Sequence, residues 1–397
     1  MIKPELLAPA GDLERLKIAF LYGADAVYIG GPYSLRANAS NFTIDQIKEG
    51  IKYAHKLSKK VYVTINIALH NKELKTITKY LKQLDEIGVD AIIVSDPALI
   101  TLAKQNTNLE IHLSTQNSSL NKEAIEFWKK QGVSRVVLAR ECTKEDILDI
   151  KKNNQIELEV FIHGAMCASY SGRCVLSNFL TNRDSNRGGC SQICRWDFDL
   201  IGEKPLKGEK PFTFCTKDLS LIKYIPDLID IGVDSLKIEG RMRSSYYIAT
   251  IIKVYRSVID KYIKEGQNYK YDPSLEQIVR RCANRDSVAQ FFNGIFDKTV
   301  QYYNGRMEIT NQDFLGTVLS YDNKTKLAKI EQRNYFKTGD KITIFGPKEE
   351  FSFTIDEIYD ENMEKIDIVR HPKQIVYIKT PNEVKEDYML KKFLTKD

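Results

Sequence analysis

The stretch "DAVYIGGPYSLRANASNFTIDQIKEGIKYAHKLSKKVYVTINI" (residues 25–67) decides the fold. Two β-branched, apolar runs, residues 25–31 and 61–67, flank an amphipathic stretch that opens at Thr43, a residue that caps helices. A strand, a helix and a second strand in this order form a βαβ unit, in which the two strands lie parallel. The segment therefore predicts an α/β protein with a parallel sheet.

The same unit recurs along the first two thirds of the chain. Six further runs have the composition of buried strands: "PELLAPAG" (4–11), "DAIIVSD" (90–96), "LEIHLST" (109–115), "SRVVLAR" (134–140), "ELEVFIHG" (157–164) and "DSLKIEGR" (234–241). Before three of the strands a glycine ends the preceding helix, in "YGAD", "IGVD" and "IGVD". Eight units over about 240 residues predict a closed (β/α)8 barrel, similar to a TIM barrel, at residues 1–265. An open doubly wound sheet is the alternative.

The composition changes after about residue 305, where helical patterns give way to alternating apolar runs. Residues 314–346 and 351–370 carry such runs around turn residues. We therefore predict a small antiparallel, barrel-like β-domain at residues 309–397. A helical connector at residues 266–308, which includes "DPSLEQIVRRCANRD", would join it to the barrel.

The charge and hydropathy of the chain restrict the class of protein. The 59 lysines and arginines exceed the 53 acidic residues, and the net charge of +6 permits a polyanionic partner without demanding one. No apolar run approaches the ~20 residues that span a bilayer. The N-terminal "MIKPELLAPAGD" lacks the apolar core of a signal peptide. We therefore expect a cytoplasmic protein that binds no membrane and whose thiols stay reduced.

The cysteines are concentrated in "HGAMCASYSGRCVLSNFLTNRDSNRGGCSQICRW" (residues 163–196), which holds four of the seven, and Cys215 follows shortly after. The stretch comes directly after the seventh predicted strand, and we predict a Cys-rich insertion there, at residues 164–217. Sites of barrel enzymes form at the C-terminal ends of the strands. The thiols therefore lie on the predicted catalytic face.

Clustered thiolates attract soft metals, so zinc and an iron–sulfur cluster are both open. Only Cys190 and Cys194 have the close spacing of a zinc knuckle, and the C-x3-C-x2-C run of radical enzymes is absent. A redox disulfide relay is a further alternative. Scattered buried cysteines are another, and this is our interpretation of Cys142 and Cys282.

Charged residues alternate along one face of the eighth predicted strand, as Lys237, Glu239 and Arg241. A charged triplet on one strand face fits an anion-binding or proton-transferring site. We take these three residues and His163 as candidate catalytic residues. His163 lies four residues before Cys167, and a cysteine peptidase needs a histidine beside its thiolate. No H-E-x-x-H stretch supports a metalloprotease.

Eight stretches of this chain together resemble a known family. They are "ELLAPAGDLERLKIAFLYGADAVYIGG", "LRANASNFT", "ELEVFIHGAMCASYSGRCVLSNF", "RDSNRGGCSQICRW", "SLKIEGRM", "CANRD", "QRNYFKTGDKITIFGP" and "RHPKQIV". They are similar to the signature of the collagenase-like peptidase family, the U-thirty-two peptidases. The resemblance covers nearly the whole chain, the cysteine signature is highly specific, and the two C-terminal stretches match the tail found in one branch of the family.

The resemblance implies RNA hydroxylation more than proteolysis. Several members of the family are oxygen-independent hydroxylation factors that carry a 4Fe–4S cluster, and one branch forms 5-hydroxyuridine at the wobble position of tRNA with prephenate as the hydroxyl donor. By the same resemblance Cys167, Cys174, Cys190 and Cys215 are the implied cluster ligands, with Cys194 as the alternative fourth ligand. Protein handled in air would hold zinc or an empty site instead. The implied partners are tRNA, prephenate and an electron-transfer or family partner protein.

Roles for further residues follow as expectations. An anionic donor needs arginine forks, and the candidates that bind substrate are Arg36, Asn41, Arg173, Arg183 and Arg195, with Arg187 nearby. Glu239 is the candidate acid or base. Tyr335 and Phe336 are candidates for stacking on an exposed base. Two alternative functions remain, a peptidase that acts on protein and a non-catalytic RNA-binding module stabilised by metal.

Overall fold

The computed structural model describes residues 2–35, 41–199, 212–294, 297–302 and 312–393. The chain divides into two compact units, Met1–Glu308 and Ile309–Asp397. The first unit contains the parallel strands and the helices, and the second contains antiparallel strands. All of the residues predicted as a helical connector, 266–308, therefore belong to the first unit, where helix α10 (Ser274–Ala283) packs on α9 (Ser245–Glu265).

The first unit alternates strands and helices along the chain. Its strands are β1 (Glu5–Pro9), β2 (Ala26–Gly30), β3 (Lys60–Ile65), β4 (Ala91–Val94), β5 (Glu110–Leu113), β6 (Arg135–Val137), β7 (Glu157–Gly164), β8 (Asp218–Ser220), β9 (Ser235–Ile238) and β10 (Ser287–Val288). The remaining helices are α1 (Leu13–Leu21), α2 (Ile44–Lys56), α3 (Asn71–Glu86), α4 (Pro97–Asn106), α5 (Lys122–Lys130), α6 (Lys144–Asn153), α7 (Leu176–Thr181) and α8 (Ile225–Ile231).

Eight of these strands form a closed parallel ring. Strands β1 to β7 pair in sequence order, and β9 pairs in parallel with both β7 and β1. Each strand of the ring lies within one of the eight predicted runs, except that β3 begins one residue earlier, at Lys60, so the predicted barrel is confirmed and an open doubly wound sheet is excluded. Strand β8 lies outside the ring, because it runs antiparallel to the end of β7 and carries β10 on its other edge.

Local sequence explains where the helices begin. Thr43 caps α2 in a capping box with Gln46, and the side chains of Asp12, Thr143 and Ser244 cap α1, α6 and α9. The ring strands are almost entirely buried, as expected when helices cover a parallel sheet. Among the described helices none is both long and apolar enough to cross a bilayer.

The second unit is antiparallel, as predicted. Its strands are β11 (Phe314–Asp322), β12 (Leu327–Gln332), β13 (Phe336–Lys337), β14 (Lys341–Phe345), β15 (Glu350–Thr354), β16 (Ile358–Tyr359), β17 (Lys365–Ile366), β18 (Ile368–Val369), β19 (Ile375–Lys379) and β20 (Met389–Lys392). Eight of them pair in the order β15-β14-β20-β11-β12-β19-β16-β17, and β13 pairs with β18. Within the described residues this order has two free edges, so the sheet is open rather than a closed barrel.

The core of the second unit corrects one expectation. Phe336 is 1% exposed and packs in this core with Val318, Ile344 and Val369. A ring enclosed in this way has no face for a base, so Phe336 does not stack on RNA. Its neighbour Tyr335 is 45% exposed.

Candidate active site

The cysteine stretch forms a cap over the C-terminal mouth of the barrel. We call residues 165–199, which follow β7, the cysteine cap. Near the end of β3, the Ala68 amide donates to the Asn186 carbonyl over 2.9 Å, and the Arg187 guanidinium donates to the Glu73 carboxylate over 2.7 Å. Arg187 therefore fastens the cap to the barrel, and the expectation that it holds an anion is wrong.

Two further contacts fix the cap on the opposite side of the mouth. The Ser171 amide and hydroxyl both donate to the carboxylate of Glu141, which follows β6. The Arg173 side chain donates through Nε to the carbonyl of Gln116, which follows β5. The cap thus reaches from β7 to the loops after three other strands. Because these anchors lie around the rim, the cap encloses the space above the strand ends.

That space is a cavity of about 720 Å³ between the cap and the barrel. The predicted residues that line it are Lys237, Glu239, Arg241, Cys167, Cys174, Cys190, Cys194, Arg173 and Arg195. Residues 140, 243 and 285, all arginines, also line it and were not among the candidates. The described lining contains seven basic side chains and one carboxylate, that of Glu239. A cavity with this balance of charge attracts a small anion.

The floor of the cavity carries a buried ion pair. Lys237 is 3% exposed, and its Nζ donates to Oε1 of the fully buried Glu159 over 2.7 Å. The ammonium also lies 4.5 Å from the centre of the Tyr28 ring and 5.3 Å from that of Phe161. Burial lowers the pKa of Lys237, and the Glu159 carboxylate opposes this shift. Glu159 was not a candidate, although a glutamate on the inner face of the apolar run "ELEVFIHG" was the available signal.

The ion pair continues into the barrel through Arg135. Its guanidinium lies 3.4 Å from Glu159, 2.6 Å from Glu5 and 2.7 Å from Glu157. Burial and the charges of Lys237 and Arg135 act in opposite directions on Glu159, and its pKa is lowered overall. A chain of charged groups thus runs through the interior of the barrel, from the N-terminal ends of its strands to the cavity floor. Such a network holds its members ionised only while it stays complete.

Arg241 crosses the mouth of the barrel from the end of β9. Its guanidinium donates to the Ser34 hydroxyl, to the Thr64 hydroxyl over 3.1 Å and to the Leu35 carbonyl over 3.1 Å. A Cβ on Gly30 would lie 2.2 Å from the guanidinium, so only glycine leaves room for it. The oxygens in these contacts are neutral, and Arg241 also lines the cavity.

The position of Glu239 depends on Gly164, the last residue of β7. Gly164 ends β7 with φ of +118°, and a Cβ there would lie 2.7 Å from both the Cβ and the carbonyl oxygen of Glu239. Strands β7 and β9 are therefore close enough for the Glu239 amide to donate to the His163 carbonyl over 2.8 Å. Glu239 is 7% exposed and lines the cavity.

The cap thiols are neighbours. Burial raises the pKa of the Cys194 thiol to about 11, the charges of Cys167, Cys190 and Cys215 raise it as well, and Arg195 opposes them. Cys174 lines the same cavity, whereas Cys215 is buried and does not. Crowded thiolates repel each other, so a bound cation would stabilise the ionised set.

Two of the thiols have the backbone environment of metal ligands. The Leu176 amide donates to Sγ of Cys174 and the Gln192 amide to Sγ of Cys190, each over 3.4 Å. Hydrogen bonds to sulfur of this kind tune iron–sulfur centres. Among the described residues no group of three or more His, Cys, Asp or Glu side chains converges closely enough to hold a metal ion. The chemistry of the donors, several thiols that line one cavity, is that of a soft-metal site.

His163 lies beside the cavity but outside its lining. The ring is 1% exposed between Tyr247 and Tyr255, and Nδ1 lies 3.3 Å from the Tyr255 hydroxyl. Its Nε2 has no hydrogen-bond partner among the described residues. Burial lowers the pKa of His163 to about 3, so the ring is neutral. His163 therefore pairs with no thiol, and it lacks the cavity position that we expected of a catalytic residue.

Three of the candidates for substrate binding are not brought to the cavity by the described structure. Arg36 lies outside the described residues. Asn41 does not line the cavity, and neither does Arg183, which is exposed. Of the cysteines left out of the site, Cys142 is buried, and burial raises the pKa of its thiol to about 12. The thiol of Cys142 is therefore protonated and unreactive, as expected for a core cysteine.

Arg243 and Arg285, two of the three lining arginines that were not candidates, both lie near the carboxylate of Asp218 at the start of β8. Arg243 lies 3.4 Å from Asp218, and Arg285 lies 3.7 Å from it. Arg140 instead donates to the Ala165 carbonyl over 2.7 Å and stacks on Phe161 at 3.9 Å. No ion pair joins Arg140 to a carboxylate within the described residues. Arg140 is therefore available to an anion in the cavity.

The fold and this cavity define a class: a (β/α)8-barrel protein whose strand ends are covered by a thiol-bearing cap over a cationic cavity. Residues 11–301 match the profile of Peptidase family U32, and residues 310–391 match that of the Peptidase family U32 C-terminal domain. The chain belongs to Peptidase family U32.

Several relatives of this chain are named for the hydroxylation of RNA. The chain is 49% identical to "tRNA hydroxylation protein P1" of Bacillus subtilis (strain 168) over 98% of this chain and 95% of that protein. It is 34% identical to "tRNA hydroxylation protein P" of Escherichia coli (strain K12) over 98% and 96% of the two chains. A 23S rRNA 5-hydroxycytidine synthase of the same bacterium is 39% identical over 66% of this chain and 40% of that protein.

Proposed function

We propose that this protein is an enzyme that hydroxylates tRNA, forming 5-hydroxyuridine at the wobble position. Its similarity over nearly the full length to proteins named for tRNA hydroxylation supports the substrate class. The observation that carries the proposal is the cavity, where the cap thiols meet seven basic side chains at the catalytic end of a barrel. RNA with its phosphates and an anionic donor both complement such a surface.

The donor in this proposal is a small dicarboxylate, prephenate. Arg140 and Arg241 present guanidinium groups to the cavity, and guanidinium forks bind carboxylates in a defined orientation. Lys237 adds a point charge at the floor, where Glu159 and the two aromatic rings fix its position. Together these residues would orient the hydroxyl of the donor toward the cap.

The thiols of Cys167, Cys174 and Cys190, with Cys215 or Cys194, would hold a 4Fe–4S cluster at the roof of the cavity. Such a cluster supplies one-electron transfer. In this proposal the C–O bond of prephenate breaks with its electron pair leaving on hydroxide, and loss of the ring carboxylate as CO2 returns an electron pair to the ring. Replacing the C5 hydrogen of a uracil by this hydroxide then releases one proton and two electrons. Glu239, which lines the cavity, is our candidate to accept the proton. The two electrons leave to an electron-transfer partner protein.

The geometry around His163 speaks against thiol peptidase chemistry at this site. A thiol peptidase needs an ionised cysteine activated by a hydrogen-bonded histidine. Here the candidate histidine, His163, is buried, neutral and bonded to a tyrosine. RNA hydroxylation is therefore the better supported of the two functions.

The test combines a cofactor assay with nucleoside analysis. Full-length protein purified without oxygen is assayed for iron and acid-labile sulfide, and we expect about four irons per chain. Cells that lack the gene are then complemented with wild type, Cys174→Ser or Cys142→Ser, and their tRNA nucleosides are measured by mass spectrometry. Cys142→Ser is the matched control, because this buried cysteine lies outside the cavity lining.

We expect wild type and the control to restore 5-hydroxyuridine, whereas Cys174→Ser loses both iron and the modified nucleoside. Parallel Cys194→Ser and Cys215→Ser variants identify the fourth ligand, since only its loss lowers the iron content. Iron-free wild type that still restores the nucleoside would refute the role of the cluster. Unchanged tRNA nucleosides with iron-loaded wild type would refute the substrate.

A further inference from the structure

The mouth of the cavity is apolar and exposed, in contrast to its floor. Val175 is 54% exposed, Leu176 39%, Phe214 46% and Met242 51%, and all four also line the cavity. We call these four residues the apolar mouth. Large apolar side chains that stay exposed at the entrance of a cavity mark a surface that another molecule covers.

The apolar mouth is assembled from three separate segments of the chain. Val175 and Leu176 lie at the start of α7, Phe214 lies on the segment that leads into β8, and Met242 follows β9. Side chains so distant in sequence meet here only because of the tertiary structure. Their exposure is therefore a property of the assembled entrance and not of one loosely packed loop.

Phe214 is held rigidly within this mouth. Its ring packs edge to face against Phe212, with 4.8 Å between ring centres, and against Phe198 at 5.5 Å. The backbones of Phe198 and Phe212 exchange two hydrogen bonds of 2.8 Å. An aromatic ring fixed in this way loses little entropy when a planar group stacks on it.

Basic groups stand beside the apolar mouth. Arg173 and Arg195 line the same cavity from the cap, and Nε of Arg173 donates to the neutral carbonyl of Gln116. The charged groups at the floor are Lys237, Glu239 and Arg241. The cavity therefore has two levels, an outer apolar level flanked by arginines and an inner level with buried charges.

We propose that the apolar mouth receives a single unpaired nucleotide of RNA, with its base stacked on Phe214. A base is planar and apolar on its faces, and the adjacent phosphates are anionic, so the ring and the flanking Arg173 and Arg195 complement both parts. The inner level then remains for the small anion. This inference rests on the proposed function and assigns the position of its substrate.

A second exposed apolar surface, on helix α7, would hold the neighbouring nucleotides of the RNA. Helix α7 also carries Phe179, which is 83% exposed, and Leu180, which is 54% exposed. Single-stranded RNA is bound by successive aromatic and apolar surfaces that hold consecutive bases. The nucleotides next to the one in the mouth would cover these side chains. The proposed base-binding surface thus lies at the cavity entrance of the first unit, whereas the sequence had suggested Tyr335 and Phe336.

The test measures RNA binding by full-length protein that has been purified without oxygen. The probe is a fluorescently labelled anticodon stem-loop, and the readout is anisotropy. Stacking contributes about 1–3 kcal/mol per base, so Phe214→Ala should weaken binding roughly 5- to 150-fold. Phe214→Trp should bind like wild type, and Phe214→Leu, which keeps an apolar group without the ring, should bind as weakly as the alanine variant.

The matched control is Phe127→Ala. Phe127 is 53% exposed on α5 and does not line the cavity, so its loss should leave the affinity unchanged. Iron content is measured for every variant, because Phe214 is next to Cys215 in the chain. Met242→Glu provides a second position, and its carboxylate should repel the phosphates and weaken binding.

Two results would overturn the inference alone. One is an affinity of Phe214→Leu and Met242→Glu equal to that of wild type while wild type still hydroxylates tRNA. The other is a wild-type dimer that Phe214→Leu dissociates, since the mouth would then be an interface between copies. If wild type neither binds the stem-loop nor modifies tRNA, the proposed function itself fails.

Discussion

Glu159→Gln tests the buried charge network at the base of the site. The substitution keeps the shape of the side chain and removes its charge. Lys237, 3% exposed, then loses the carboxylate that lies 2.7 Å from its ammonium. Arg135 keeps Glu5 and Glu157. The unpaired ammonium therefore dominates the effect. Breaking a buried ion pair costs about 3–5 kcal/mol, and we expect a loss of stability of this size near neutral pH.

The loss of stability in Glu159→Gln should depend on pH. Burial lowers the pKa of Lys237, and the charge of Glu159 opposes that shift, so the pKa falls further in the variant. The unfolded chain then binds more protons than the folded chain below the ordinary lysine pKa, and stability rises with pH. The loss in Glu159→Gln is therefore larger near pH 6 than near pH 9, and it shrinks as pH rises toward the ordinary lysine pKa of about 10.4.

Thermal melts followed by circular dichroism, at pH values from about 6 to about 9, measure this effect. For a unit of this size a loss of about 3–5 kcal/mol lowers Tm by roughly 10 °C. The control is Glu159→Gln combined with Lys237→Met, which removes both charges and should be more stable than the single variant. A single variant with an unchanged Tm, or a double variant less stable than the single, would refute the reasoning that the pair is buried and mutually dependent.

Three further predictions concern packing and conformation. Because burial lowers the pKa of His163 to about 3, the stabilising effect of its neutral ring is complete above about pH 6.5 and is lost as pH falls toward 3. Ring-nitrogen NMR should show that His163 does not titrate between about pH 8 and about pH 5. Gly164→Ala should lower stability by about 1–3 kcal/mol and reduce iron binding, whereas Gly294→Ala, with φ of +69° and open space around it, should leave iron binding intact. Phe336→Ala should destabilise the second unit by about 3–5 kcal/mol in urea unfolding, and Tyr335→Ala by less than about 1. Titration of His163 in that range would contradict the first prediction. Equal iron loss in the two glycine variants would contradict the second, and equal losses of stability in Phe336→Ala and Tyr335→Ala would contradict the third.

Local patterns in the sequence determined the barrel and the kind of site. The repeat of a β-branched run, a capped helix and a glycine appears within about 30 residues, and such a repeat admits few arrangements other than a closed parallel ring. Cys167 and Cys174 directly follow the seventh run, so their place on the catalytic face followed from chain order. The alternation of Lys237, Glu239 and Arg241 likewise predicted which face of the last ring strand carries charge.

Only the tertiary structure shows which side chains contact each other, and these contacts decide which residues belong to the site. Lys237 pairs with Glu159, 78 residues away, and Arg241 reaches Ser34, 207 residues away; no periodicity in the sequence encodes either contact. His163 is close to Cys167 in sequence, yet its ring is enclosed by two tyrosines of α9. Arg187 and Arg173 are equivalent in the sequence, but one meets Glu73 and the other lines the cavity. Local sequence specifies strands and helices because backbone geometry repeats over a few residues. Which side chains meet depends on how those elements close around one another, and that is a property of the folded chain.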